Sequence, residues 1–379
     1  MDPLSYFSDC YETARQRFIE VLERTGWSHE AHAIDARGPT GAELTIDVGI
    51  RRSAEPKRTV VISSGLHGVE GFFGSAVQMS LLDDQQWLCN SNETTVVMIH
   101  ALNPFGFAWK RRWNEDNVDL NRSFFSVSDD RPETLPSFHK IDAVLNPQKP
   151  AGRLDLFPIT ATWFIARHGF AELKRTLPVG QYDNPLGIFY GGRQPSATQK
   201  ILEQNLARWI GSTSDVLHLD FHTGLGRSGD YTLLLNKALE DAVLNELGLR
   251  FGDDALKSVT AESHRRVNKD SIRGQAISSL QKFLAGSGIA YPAHGLMSDW
   301  LRDVFPDISY LTLSAEFGTY PSIRVLQSLV AENRAYHWGR HEHSMELATE
   351  DLMEMFVPAS PRWRSKAIID AQKICRQAL

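Results

Sequence analysis

Cysteine is scarce: Cys10, Cys89 and Cys375 are the only three in 379 residues, and no two form a CxxC pair. This excludes a disulfide framework and a thiolate metal site, and it reads as reduced thiols in a cytosolic protein. Long apolar runs are missing as well. No stretch approaches the roughly 20 residues needed to cross a bilayer, and the opening residues MDPLSYFSDC carry an acid at position 2 and no apolar signal-peptide core. A soluble, cytoplasmic chain without membrane contact is expected. Positive charge is not concentrated either, since the formal net charge is −6 and the largest basic block is Lys110-Arg111-Arg112. That balance argues against a general nucleic-acid binder. Internal repeats and low-complexity tracts are also lacking.

What is present suits a globular chain with a sizeable core: 42% of residues are hydrophobic and 23% charged. Tyr11, Ala14, Phe18, Val21 and Leu22 recur at helical spacing, so an amphipathic helix is expected within about 1–30. A polar turn is expected from Asp35 to Thr40. Glu43 to Ile50 alternates like a strand. Arg58 to Ser63 and Thr94 to His100 are short β-branched runs of the kind buried on both faces. Asp215 to Phe221 and Tyr310 to Ala315 are further strand candidates, with helical stretches at Thr198 to Ile210 and Asp270 to Leu284. The span 125–194 is rich in Pro and Gly and reads as an insertion, whereas 322–379 reads as helices outside the sheet. Alternating strands and helices predict a three-layer α/β/α sandwich around a mixed, mostly parallel twisted sheet, with all 379 residues in one domain.

Polar residues cluster where strands end, which is where open α/β sheets assemble their sites. His67-Gly68-Val69-Glu70 follows the first buried strand, Asn121-Arg122 lies beyond the second, His222 follows DVLHLDF, and Glu316 follows YLTLSA. Catalytic zinc takes three nitrogen or carboxylate ligands and keeps one position open. His67 and Glu70 can face one ion at a turn entering a helix, and His222 can supply the third ligand from a neighbouring strand end. Glu316 is then placed as the general base that activates water. Other histidines have plainer readings. His337, His341 and His343 suit a solvated helix surface, and His100 and His218 suit hydrogen-bonded positions in the sheet. His294 is a weaker pocket candidate.

Taken in order, HGVE at 67–70, NPFG at 103–106, VDLNR at 118–122, DFH at 220–222 and Glu316 resemble the zinc carboxypeptidase superfamily of carboxypeptidase A-like metallopeptidases. The resemblance spans about Arg58 to Tyr320. SGLHGVEGFFGSAVQ is similar to a bacterial branch known only as a domain of unknown function. The resemblance implies one Zn²⁺ held by His67, Glu70 and His222, and Glu316 as the catalytic glutamate. It further implies that Asn121 and Arg122 grip a substrate carboxylate and that Asp119 orients a metal-bound histidine. One arginine of the Arg111-Arg112 pair, Arg112 by preference, would stabilise the oxyanion. The tyrosine that many carboxypeptidases bring over the substrate is not assigned; Tyr231, Tyr291 and Tyr310 stay open. The implied activity is amide hydrolysis next to a carboxylate-bearing group, carboxypeptidase-like on small peptides. A deacylase of N-acylated amino acids, similar to succinylglutamate desuccinylase or aspartoacylase, is the alternative, because the interval from the arginine pair to Asn121 is short. A non-catalytic descendant that binds a peptide or small ligand is the reading from another class.

Overall fold

The computed structural model of the chain describes residues 2–88, 92–126, 130–150, 157, 159–160, 163, 167, 176–235, 239–258, 293–339 and 342–379. Cys89, Tyr291, His341 and the helical stretch expected over Asp270 to Leu284 lie outside them, as does part of the 125–194 span. Eight strands form one sheet: β1 (Ser28–Arg37), β2 (Glu43–Arg51), β3 (Arg58–Ser64), β4 (Thr94–His100), β5 (Asp215–Thr223), β6 (Tyr231–Leu235), β7 (Leu256–Ser258) and β8 (Ser309–Phe317). Their order is β1-β2-β4-β3-β5-β8-β6-β7. The centre, β4-β3-β5-β8, is parallel throughout. Antiparallel pairs join β1 to β2, β2 to β4 and β6 to β8.

Helices cover both faces. The described ones are α1 (Tyr11–Thr25), α2 (Gly71–Asp83), α3 (Pro104–Ala108), α4 (Pro136–Leu145), α5 (Ala197–Ile210), α6 (Asp241–Phe251), α7 (Met297–Val304), α8 (Ser322–Trp338), α9 (Glu342–Phe356) and α10 (Pro361–Ala378). Val60 and Ile62 of β3 point into a core with Phe18 of α1, Phe73 of α2 and Ile368 of α10. Val61 between them points the other way, toward Leu206 of α5 and Leu301 of α7. A strand covered on both faces needs apolar residues at successive positions, so the β-branched run forms a central strand. The architecture is the α/β/α sandwich.

Two local expectations change. The first helix ends at Thr25, capped by Gly26 in the left-handed region at φ 73°, and β1 fills 28–37, taking in the first part of the turn expected over Asp35 to Thr40. This edge strand buries only Ile34 fully, so it shows no apolar alternation to read. Strands β6 and β7 were likewise not anticipated, being short and at the far edge.

A candidate metal centre at the strand ends

Because β3, β5 and β8 run parallel, their carboxyl ends open on one edge of the sheet. The chain leaves β3 through Gly65 at φ 64°, passes His67, and makes one 3-10 turn over Gly68–Glu70 before α2. Gly68 is required by contact: a Cβ there would sit 2.1 Å from the carbonyl carbon of Gly106. Gly68 and Val69 donate their amides to the carbonyls of Arg112 (3.2 Å) and Arg111 (2.7 Å). Asn103 caps α3 by accepting from the Gly106 amide at 2.8 Å and donates to the Arg112 carbonyl at 3.3 Å. The HGVE, NPFG and arginine segments are thus tied together by backbone groups, which sets where His67 and Glu70 stand.

His67, Glu70 and His222 are all buried, and their ligand atoms lie within 4.8 Å of one another. Among the described residues no other trio of His, Cys, Asp or Glu meets that condition. His67 Nδ1 is 3.0 Å from Glu70 Oε1, and His222 Nδ1 is 2.9 Å from Glu70 Oε2. The Thr223 amide donates to the same Oε2 at 3.2 Å. Burial works against the Glu70 carboxylate, yet the two imidazoles hold its pKa down at about 2.

The outward nitrogens meet carboxylates. His222 Nε2 is 2.6 Å from Asp220 Oδ2, and His67 Nε2 is 3.2 Å from Asp119 Oδ1. Arg112 also approaches His67 Nε2, at 2.7 Å, while its Nε donates to Asp119 Oδ2 at 3.0 Å. One imidazole nitrogen cannot both accept from the guanidinium and donate to the carboxylate. A cation on Nδ1 leaves the proton on Nε2 and selects Asp119. Against burial, Arg112 and His67 keep Asp119 well below the ordinary carboxylate range; against burial again, Asp220 and Glu70 hold His222 well above the ordinary imidazole value.

Glu316 is the register partner of His222 across β5 and β8. Burial pushes its carboxyl up to about 8; His222 and Arg112 pull downward, while Glu70 adds to the rise. Its Oε2 has no hydrogen-bond partner among the described residues. The side chain lines a cavity of about 500 Å³ together with Arg227, Tyr231, Thr232 and Lys257. Glu70, Asp119, Asp220 and Glu316 therefore surround two imidazoles and one guanidinium. That donor set fits a divalent cation preferring nitrogen and carboxylate ligands; magnesium or calcium would call for oxygen alone.

Arg122 stands beside the cluster, buried, its Nε without a partner among the described residues and one amino group 2.5 Å from the Asn121 carbonyl. Desolvation lowers its pKa, with Asp119 opposing. Asn121 donates its amide to Asp119 Oδ1 at 3.1 Å and accepts from the Met297 amide at 3.3 Å. The described end of the 125–194 span packs here: the Tyr182 hydroxyl donates to the Arg122 carbonyl at 3.1 Å, and the Asp119 amide donates to the Tyr190 carbonyl at 2.7 Å.

Residues 7–370 match a family described as a protein of unknown function, DUF2817. The chain belongs to this family. No curated protein matches the DUF2817 chain. Solved structures similar to it include thrombin activatable fibrinolysis inhibitor, at 13% identity and TM-score 0.46, covering 97% of this chain and 73% of that one. Carboxypeptidase A from Helicoverpa armigera is 13% identical at TM-score 0.45, covering 92% and 74%. A succinylglutamate desuccinylase from Silicibacter is 12% identical at TM-score 0.35, covering 83% and 67%.

Elsewhere in the DUF2817 chain, Arg111 turns away from the cluster: it is fully buried, 2.5 Å from Glu332, and stacked 3.3 Å over the Tyr336 ring. Tyr310 lies near the start of β8, six residues before Glu316 and so roughly 20 Å from it; it is buried against His218, far from the strand ends. Tyr231 faces the Glu316 cavity. His100 and His218 are buried and hydrogen-bonded, His294 and His343 are exposed, and His337, in the last turn of α8, is half-buried and not on a solvated surface. No helix among the described residues is long and apolar enough to cross a membrane. Asp220 is the partner that sequence reasoning passed over. Its signal was available, since residues two apart on a strand share a face.

Proposed function

We propose that the chain is a zinc-dependent hydrolase that cleaves an amide bond next to a carboxylate-bearing group, acting on small peptides as a carboxypeptidase does. The observation that carries this reading is the convergence of His67, Glu70 and His222 within 4.8 Å, each histidine backed by a carboxylate. Zinc at this trio supplies Lewis acidity toward a carbonyl oxygen and toward water. The protein's own residues do the remainder. Glu316, whose Oε2 has no hydrogen-bond partner among the described residues, takes a proton from water in its ionised form and returns it to the departing nitrogen. Arg112 donates to the oxyanion that forms at the attacked carbonyl. Arg122 and Asn121 bind the substrate carboxylate, a reading supported by the Nε donor of Arg122, which has no partner among the described residues. Asp119 holds His67 in the form that ligates through Nδ1.

The short interval between Arg112 and Asn121 favours a second reading, a deacylase of N-acylated amino acids. Metal analysis of the purified chain, joined to a panel of peptides and acyl-amino acids, tests both. Release of free C-terminal residues supports the peptidase. Turnover of acyl-amino acids alone supports the deacylase. Chelation should abolish activity, and Glu316→Gln should abolish it with zinc still bound. Activity that survives both treatments would sink the mechanism; stoichiometric zinc with no Glu316-dependent turnover would point to a binding protein.

A further inference from the structure

Alternate residues of a strand share a face, and the face of β5 that carries His222 also carries Asp220 and His218. Ser63 of β3 is the register partner of Asp220. Its hydroxyl lies 2.5 Å from Asp220 Oδ1, the oxygen not used by His222. His218 Nε2 is 2.7 Å from the same Ser63 hydroxyl, and the Tyr310 hydroxyl is 3.1 Å from His218 Nδ1. Tyr310, His218, Ser63, Asp220 and His222 are all buried. On that face Val61 and Val216 are apolar, whereas Thr312 and Ser314 of β8, the register partners of His218 and Asp220, are polar; the hydrogen-bonded series runs through Ser63 and Tyr310 and not through them.

The hydrogens in this chain can be placed by elimination. An ionised carboxylate only accepts, so Asp220 receives the Ser63 hydroxyl hydrogen and the His222 Nε2 hydrogen. Ser63, its one hydrogen spent, accepts from His218, which must then carry its hydrogen on Nε2. A neutral His218 offers a lone pair at Nδ1, and Tyr310 donates to it. Burial lowers the His218 pKa to about 4, which keeps it neutral near pH 7. Every donor in the series points toward Asp220.

We propose that Tyr310, His218 and Ser63 are positioning residues for His222: their one-directional hydrogen bonds saturate Asp220 Oδ1 and leave Oδ2 to lock the Nε2–H tautomer, so that Nδ1 faces the cation. This rests on the metal reading of the site. None of the three touches the metal position, and their effect passes through Asp220. A role confined to packing would set the stability of the metal-free chain and leave its affinity for zinc alone.

The test measures zinc affinity by chelator competition on the full chain, with thermal unfolding of the metal-free form alongside. Ser63→Ala and His218→Phe should each weaken zinc binding on the order of tenfold, the low end for groups that support a metal ligand. Tyr310→Phe should weaken it less, and Ser63→Thr, which keeps the hydroxyl, should restore it. If a variant does not fold, ¹⁵N spectra of the unaltered zinc-loaded chain decide instead. Both His218 and His222 should carry hydrogen on Nε2 alone at pH 7. Unchanged zinc affinity in the folded variants, or a His218 that is charged or protonated on Nδ1, overturns the inference and leaves the hydrolase reading standing. Failure of the unaltered chain to take up zinc strikes the metal reading itself, and this inference falls with it.

Discussion

The two histidines of the cluster are supported by different kinds of structure. His67 sits in a turn, and its outward nitrogen meets charged groups, Asp119 and Arg112, from a loop about 50 residues further on. His222 ends a central strand and leans on Asp220 from that same strand, with Ser63 behind it on the next. Strand pleating alone brings His222 and Asp220 to one face. Nothing comparable aligns a turn, so His67 depends on hydrogen bonds that tie three loop segments together. A histidine on a regular element needs little more than a well-placed neighbour, whereas a histidine on a loop needs its whole surroundings fixed. Adjacent residues on that loop accordingly have separate duties. Arg112 serves the cluster, and Arg111 anchors the segment through Glu332, which also accepts from Trp113 Nε1 at 3.1 Å.

The sharpest separation should come from Glu316, which faces the cavity and supports neither histidine. Glu316→Gln is expected to lower turnover by about 10²–10⁴-fold with zinc content unchanged, as read by steady-state kinetics and metal analysis on one preparation. Loss of zinc in that variant would place Glu316 among the ligands' supports.

Next in size is the loop anchor. Arg111→Ala leaves Glu332 buried without its cation, and breaking such a pair costs roughly 3–5 kcal/mol in urea unfolding. Arg112→Ala likewise leaves the buried Asp119 without its guanidinium, so it should cost stability too, but unlike Arg111→Ala it should also lose turnover in the protein that remains folded. Equal loss of turnover per folded molecule in the two variants would erase the division of duties drawn between them.

The sheet's two faces each hold a neutral histidine whose pKa burial lowers from 6.5 to about 4: His218 on one, and His100, stacked on Phe18 of α1, on the other. Asp47 raises the His100 value and Arg15 lowers it. With the folded value below the unfolded one, the unfolded chain takes up a proton first as pH falls through 6.5. The stabilisation is complete above that pH and is lost toward pH 4, by on the order of 3 kcal/mol per histidine. Unfolding of the metal-free chain across this window should show the slope, and His100→Phe should reduce it. An unchanged slope would remove His100 from the account.

The smallest effect compares the ligands' supports directly. Asp119→Asn should weaken zinc binding by about 10–100-fold and also free Arg112, so turnover falls further than zinc affinity predicts. Asp220→Asn should lower the two together. Titration of zinc against activity in both variants checks this, and identical behaviour would dissolve the contrast between loop and strand.

The central strands could be read from the sequence because β-branched runs such as RTVVIS report burial locally. Edge strand β1 could not, since it buries almost nothing. His67, Glu70, His222 and Glu316 were legible as strand-end residues, and parallel strands bring such ends to one edge. Asp220 carried the two-residue signal of a shared face and was still passed over. The choice between Arg111 and Arg112 had no local signal, because Lys110 before them turns at φ 54° and no regular alternation crosses that loop.

By itself the sequence determined the layered α/β architecture, the order of the polar groups along the chain and their places at strand ends. Those depend on periodicity and on turn chemistry, which act over a few residues. Only the tertiary structure decided which imidazole nitrogens face inward, which carboxylate backs each histidine, which arginine reaches the cluster, and that Tyr310 lies buried far from the strand ends. These are matters of distance between segments far apart in sequence, set by sheet register and by how loops dock on one another.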